Sequence, residues 1–222
     1  MTQARWEAVD SFLADLLVRP DGALTAALDA NAAAGLPPID VSPTQGKFLM
    51  LLAQIQQART ILEIGTLGGY STIWLARALP AGGHLISLEA DPRHAQVART
   101  NVARASLADS VEIRTGRALD TLPQIAAEGR DPFDLFFIDA DKPSNPEYFA
   151  WALRLSRPGS IIIADNVIRE GAVAQAASND ASARGVRRFL ELMAAEPRVS
   201  ATAIQTVGSK GYDGFAIARV LR

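Results

Sequence analysis

The 222 residues suffice for one sizeable core, and 49% hydrophobic with 21% charged residues is ordinary globular composition, which excludes wholesale disorder. A net charge of -2 leaves no positive field to draw the chain to nucleic acid or to an anionic membrane. The lack of cysteine excludes a disulfide framework and thiolate chemistry.

Residues 1–10 carry Arg5, Glu7 and Asp10 and no apolar run of signal-peptide length. The most apolar stretches, such as Leu49–Leu52 and Ile161–Ala164, are far shorter than a membrane span. The cytoplasm is therefore the expected location. Trp6, Val9, Phe12, Leu13, Leu16 and Leu17 recur at helical spacing and predict a first helix. Pro20-Asp21-Gly22 breaks it, and an Ala/Leu-rich helix follows to about Ala34. Gly35-Leu36-Pro37-Pro38 connects to a third helix through Phe48, Leu49, Leu51, Leu52 and Ile55. Ser42 is its expected cap, with Pro43 at the first position.

After Arg59 short apolar runs alternate with helical segments. Strands are predicted at Thr60–Ile64, His84–Glu89, Val111–Arg114, Phe133–Ile138 and Ser160–Ala164. Helices are predicted between them at Ser71–Leu79, Pro92–Ala105, Ala118–Glu128 and Pro146–Leu155. Such alternation with continuous apolar strands implies an α/β fold with a mostly parallel sheet covered on both faces. A polar loop at Gly171–Ala181, a helix at Arg184–Ala195 and strands at Val199–Gln205 and Gly214–Val220 complete the chain. The last two strands are close enough for an antiparallel hairpin across Val207–Asp213. One domain is expected over residues 1–222, with a helical extension at 1–40 and an α/β core at 41–222.

Chemistry gathers at the ends of the predicted strands. Glu63-Ile64-Gly65-Thr66-Leu67-Gly68-Gly69-Tyr70-Ser71 makes a glycine-rich turn after the first strand, where a backbone can approach a ligand closely. Its spacing is not Gly-x-Gly-x-x-Gly, which disfavours a dinucleotide. Glu89 ends the second strand, at the point where an acid can accept ribose hydroxyl protons; Asp91 before Pro92 is the better helix cap, which leaves Glu89 for the ribose. Asp139-Ala140-Asp141-Lys142 follows one apolar strand and Asp165-Asn166 ends the next. If those strands are neighbours, Asp139, Asp165 and Asn166 converge as hard oxygen donors suited to magnesium, manganese or calcium. Zinc lacks its usual Cys and His ligands there.

Lys142 has two readings, an ion-pair partner of Asp139 or Asp141 and a general base. As a base it must be depressed from about 10.4 by burial and a metal charge. His84 and His94 have no triad or ligand partner at useful spacing and read as structural or exposed. Gly-x-Ser-x-Gly and the P-loop pattern are absent.

Glu63–Ser71, Glu89, Asp139–Lys142 and Asp165-Asn166 together resemble the cation-dependent O-methyltransferases, the catechol and caffeoyl-CoA types, over the chain from about Val41 to its end. The bacterial and plant caffeoyl-CoA branch looks nearer, because Asp141 stands where the animal catechol enzyme has a Trp. After Lys142 the chain reads Pro143-Ser144-Asn145-Pro146-Glu147-Tyr148, whereas plant members usually show Asn-Tyr shortly after the Lys.

The resemblance implies a Rossmann-like class I methyltransferase fold of seven strands, the last one reversed. It implies S-adenosylmethionine contacts from Val41, Glu63, Gly65, Thr66, Ser71, Glu89, Ala118 and Asp139. Glu63 would meet the methionine end, Glu89 the ribose and Ala118 the adenine region. It implies a divalent cation, magnesium first, on Asp139, Asp165 and Asn166, with Lys142 as base. A homodimer acting on a hydroxylated aromatic small molecule is expected, with no nucleic-acid or membrane partner. The rival readings are a metal-independent methyltransferase acting on nitrogen or a carboxylate, and a non-catalytic cofactor-binding module.

Overall fold

The computed structural model describes residues 2–19 and 21–222. Met1 and Pro20, the latter part of the expected break before the second helix, lie outside them. Three helices come first: α1 (Gln3–Leu17), α2 (Gly22–Ala33) and α3 (Pro43–Ile55). Strands and helices then alternate as β1 (Thr60–Ile64), α4 (Tyr70–Ala76), β2 (His84–Glu89), α5 (Pro92–Arg104), β3 (Val111–Thr115), α6 (Ala118–Ala127), β4 (Phe133–Ile138), α7 (Asn145–Leu155) and β5 (Ser156–Asp165). Helix α8 (Ala181–Ala195) and the strands β6 (Val199–Gly208) and β7 (Gly211–Val220) follow. Among the described residues no helix is long and apolar enough to cross a membrane.

The seven strands form one sheet in the order β3-β2-β1-β4-β5-β7-β6. β1 to β5 are parallel and β7 runs antiparallel to both β5 and β6. Alternation along each strand splits the core in two. Leu62, Ile64, Ile86, Leu88, Phe136, Ile138 and Ile162 pack with α6, α7 and α8 on one face. Ile61, Leu85, Leu135, Phe137 and Ile163 pack with α2, α3 and α4 on the other. Phe136 and Phe137 are both fully buried on opposite faces, and removing each from water is worth roughly 1.5–3 kcal/mol.

Caps set the helix starts. Ser42 Oγ accepts from Gln45 N at 3.2 Å with Pro43 first in the helix, as expected, and Asp91 Oδ1 accepts from Arg93 N at 2.8 Å. Several boundaries differ from expectation, most of them by one to three residues. β5 starts at Ser156 instead of the expected Ser160, because Phe133 pairs with Ser156 through a register shift, so Arg157-Pro158-Gly159 belongs to the strand. α4 stops at Ala76. The β6–β7 hairpin is tighter than expected, with only Ser209 and Lys210 between Gly208 and Gly211, so both strands extend further. Within the expected polar loop, Arg169–Ala174 winds as 3-10 turns.

Helix α1 departs from its amphipathic reading. Val9, Phe12, Leu16 and Leu17 are exposed, at 51–66% of their full area. Its tie to the rest is polar: Gln3 Nε2 donates to Gly208 O at 3.2 Å and Asp10 Oδ2 accepts from Ser209 N at 2.6 Å.

Candidate active site

Chain order reverses between β1 and β4, which makes the crevice at their carboxyl ends a natural ligand position. Register carries the chemistry there. Ile64 pairs with Ile138, and Asp139 N donates to Ile64 O at 2.8 Å, so the turn at Gly65 abuts Asp139. Ile138 pairs with Ala164, which puts Asp139 level with Asp165. The predicted neighbour relation between these strands is therefore present.

A cavity of about 650 Å³ opens at this edge. Val41, Gly65, Thr66, Ser71, Glu89, Ala118, Asp139 and Lys142 all line it. Gly65 has φ +99, and a Cβ there would lie 2.0 Å from Asp139 O, so only glycine lets these two strand ends meet. Glu89 is less free than the sequence reading held. Its Oε2 accepts from Thr66 N at 3.2 Å and Leu67 N at 2.8 Å, and its Oε1 from Asp91 N at 2.9 Å. The carboxylate clamps the glycine turn and still presents spare lone pairs to the cavity.

Glu63 lies behind this wall. It is fully buried and accepts from Ser71 Oγ at 2.6 Å, Thr72 Oγ1 at 2.5 Å and Ser87 Oγ at 2.6 Å. It reaches the cavity through Ser71, which lines it. Burial, opposed by those three hydroxyl donors and aided by the Asp139 charge, pushes its pKa from 4.5 up to about 7. The neutral acid is thus favoured in the fold. Below about pH 4.5 both folded and unfolded chains hold the proton and no penalty exists; as pH rises through 7 the penalty grows to about 3 kcal/mol. Glu63→Gln removes it. In the cofactor-free protein the melting temperature of E63Q relative to the parent is expected to climb between pH 5 and pH 8 in paired thermal scans. A pH-independent difference would show that Glu63 ionises normally.

A second cavity, of about 680 Å³, shares Val41, Asp139, Asn166 and Arg169 with the first and adds Gln45, Asp165, Lys210 and Asp213. Lys142 Nζ is 2.8 Å from Asp139 Oδ1, and the Lys142 side chain is only 9% exposed. The ion-pair reading of Lys142 is thus realised with Asp139. Asp165 is 6% exposed. Its Oδ1 accepts from Asn166 N at 2.8 Å and its Oδ2 from Gln45 Nε2 at 2.6 Å. Burial first, then the Asp139 charge, raise the Asp165 pKa, while Lys142 pulls it down. Asn166 sits at φ +56, a left-handed position that Asn tolerates, which turns the chain sharply after the strand.

Among the described residues no group of three or more His, Cys, Asp or Glu is placed to hold a metal. Two carboxylates and an amide nevertheless match a hard cation that keeps several waters. The mutual charge of Asp139 and Asp165 in a buried corner is what such a cation relieves.

Other lining residues escaped the sequence reading. Asp141 lines the first cavity with Arg117, Leu119 and Tyr148. Its Oδ1 accepts from Tyr148 OH and its Oδ2 from Ser144 Oγ, both at 2.5 Å. Burial and that carboxylate push the Tyr148 phenol well above its ordinary range. The signal was the second acid of Asp139-Ala140-Asp141-Lys142, read as an alternative ion-pair partner of Lys142 and given no bond to Tyr148 or Ser144. His94, read as structural or exposed, also lines the cavity, with Nδ1 3.7 Å from Glu89 Oε1. It lies in the first turn of α5, three residues past the Asp91 cap and five past Glu89, so its place could have been read from spacing.

The comparisons with known proteins agree with this geometry. A family model described as O-methyltransferase matches residues 22–220. A protein of Niastella koreensis named catechol O-methyltransferase is 57% identical, over 99% of this chain and 100% of its own length. The solved O-methyltransferase from Bacillus cereus in complex with SAH is 63% identical with a TM-score of 0.98, covering 99% of this chain and 100% of that one. The O-methyltransferase TomG from Streptomyces achromogenes, involved in tomaymycin synthesis and solved with SAM, is 52% identical with a TM-score of 0.97 over 100% of both chains. Strand order, the glycine turn and these relatives converge: the chain belongs to the O-methyltransferase family of S-adenosylmethionine-dependent enzymes.

Proposed function

We propose that the chain transfers a methyl group from S-adenosylmethionine to one hydroxyl of a vicinal diphenol, in a reaction that depends on a divalent cation, magnesium first. The observation that carries this reading is the corner where β4 and β5 end level with each other. Asp139, Asp165 and Asn166 share one cavity wall there, with Lys142 Nζ 2.8 Å from Asp139. The name of the Niastella koreensis relative supports the acceptor class.

Asp139, Asp165 and Asn166 would hold the cation, which when bound supplies charge that lowers the pKa of the acceptor hydroxyls. The cofactor supplies a methyl group on a positively charged sulfur that leaves as a neutral thioether. Val41, Gly65, Thr66, Ser71, Glu89, Ala118 and Asp139 bind it in the first cavity, and Glu63 fixes Ser71 from behind. Lys142 Nζ accepts the proton of the attacking hydroxyl.

The test is a methyl-transfer assay on catechol after dialysis against a chelator. Turnover is expected to vanish and to return with magnesium, and the product is an O-methyl ether. Full activity in excess EDTA, or methylation confined to nitrogen or carboxylate acceptors, overturns the reading.

A second copy of the chain is the partner we propose, supported by the exposed apolar row Val9, Phe12, Leu16 and Leu17 on α1. Sedimentation velocity giving a single-chain mass at micromolar concentration removes it. The location we propose is the cytoplasm, whose reducing conditions suit a cysteine-free chain.

A further inference from the structure

We propose that Gln45 is the positioning residue for the cation, holding Asp165 ready to ligate; this rests on the cation-dependent reading above. Gln45 is 120 residues from Asp165 in sequence, yet its Nε2 lies 2.6 Å from Asp165 Oδ2. The other carboxylate oxygen takes the backbone N–H of Asn166 at 2.8 Å. Asp165 is therefore fixed at both oxygens by neutral donors. Each oxygen keeps a further lone pair, and the carboxylate plane cannot swing.

The anchor is itself fixed. Gln45 sits in the first turn of α3, and its backbone N–H donates to the Ser42 cap at 3.2 Å. Its side chain borders the second cavity and a third, smaller one of about 280 Å³ behind the same corner, but not the cofactor cavity. The residue type matters as much as the contact. A Lys or Arg at this position would place a fixed positive charge where a cation must come. A Glu would face Asp165 with a like charge and no proton to donate. Glutamine orients the ligand and adds no charge, which is the task of a partner outside the coordination shell.

The test is titration of manganese(II) into the full chain, by calorimetry and by the loss of the free-ion electron paramagnetic resonance signal. Gln45→Met keeps the side-chain volume and removes the donor; Gln45→Ala is the second variant, for use where Q45M does not fold. Manganese affinity is expected to fall about 10- to 100-fold in either variant, while S-adenosylmethionine affinity measured without metal stays within about twofold of the parent. A purely structural residue would not produce that split. If the parent binds manganese and both variants bind it equally well, the Gln45 assignment is overturned and the cation reading stands. If the parent binds no manganese, with or without S-adenosylmethionine, both are overturned.

Discussion

Lys142→Ala is expected to lower turnover at least about 100-fold while S-adenosylmethionine affinity changes little, because general-base catalysis contributes roughly 10²–10⁴. The Lys142 amine is 2.8 Å from Asp139 Oδ1 and almost buried, whereas Lys210, which borders the second cavity, donates to Pro38 O at 3.1 Å. The hydrogen bonds that hold the glycine turn to Glu89 do not involve Lys142, so the proposed cofactor wall is expected to keep its geometry in the variant. The diagnostic is the pH profile. Without the amine, hydroxide must take the proton, and log kcat should rise with unit slope over the range where the parent levels off. A variant that matches parental turnover, or loses cofactor affinity in step with rate, removes Lys142 from the base role.

Gly65→Ala is expected to cost both stability and cofactor binding. The residue has φ +99, where a Cβ is strained by about 1–2 kcal/mol before any contact is considered. The added Cβ would also lie 2.0 Å from Asp139 O and 2.7 Å from Asp139 C. These are backbone atoms, so the ends of β1 and β4 must separate. A loss near 3 kcal/mol lowers the melting temperature by about 6–12 °C in a chain of this size. The displacement falls on Asp139 and the glycine turn together, so calorimetry should show S-adenosylmethionine affinity falling as well. Gly69→Ala is the internal control: it shares a positive φ of +85, but its Cβ would meet nothing nearer than Ala98 Cβ at 3.3 Å and Ala98 Cα at 3.4 Å, so its effect should be clearly smaller. Equal losses in the two variants would mean that conformational strain alone, not the approach of β1 to Asp139, sets the requirement.

The buried strands were readable because continuous apolar runs have no other home in a doubly covered sheet. Thr60–Ile64, His84–Glu89 and Phe133–Ile138 have the bounds expected of them. The ends of β6 and β7 were not readable. Thr206 and Val207 pair with Asp213 and Tyr212 on an exposed edge, where no burial pattern marks a strand. Acids at strand ends stood out for the same reason the strands did, since a charge directly after Phe136-Phe137-Ile138 has left the core. Partnerships between distant segments left no such mark. Nothing near Gln45 points to Asp165, and the burial of Glu63 depends on Ser87 from a neighbouring strand and Thr72 from the next helix. Exposure of the α1 apolar row also ran against its spacing, because periodicity reports which face is apolar and not what covers it.

Asp139 belongs to the walls of both large cavities. A carboxylate that faced both proposed ligands would make their occupancies interdependent. On the proposed reading, the factor by which S-adenosylmethionine alters the dissociation constant for magnesium must equal the factor by which magnesium alters that for S-adenosylmethionine. Supply of the methyl donor and supply of the ion would then act on this protein together rather than separately.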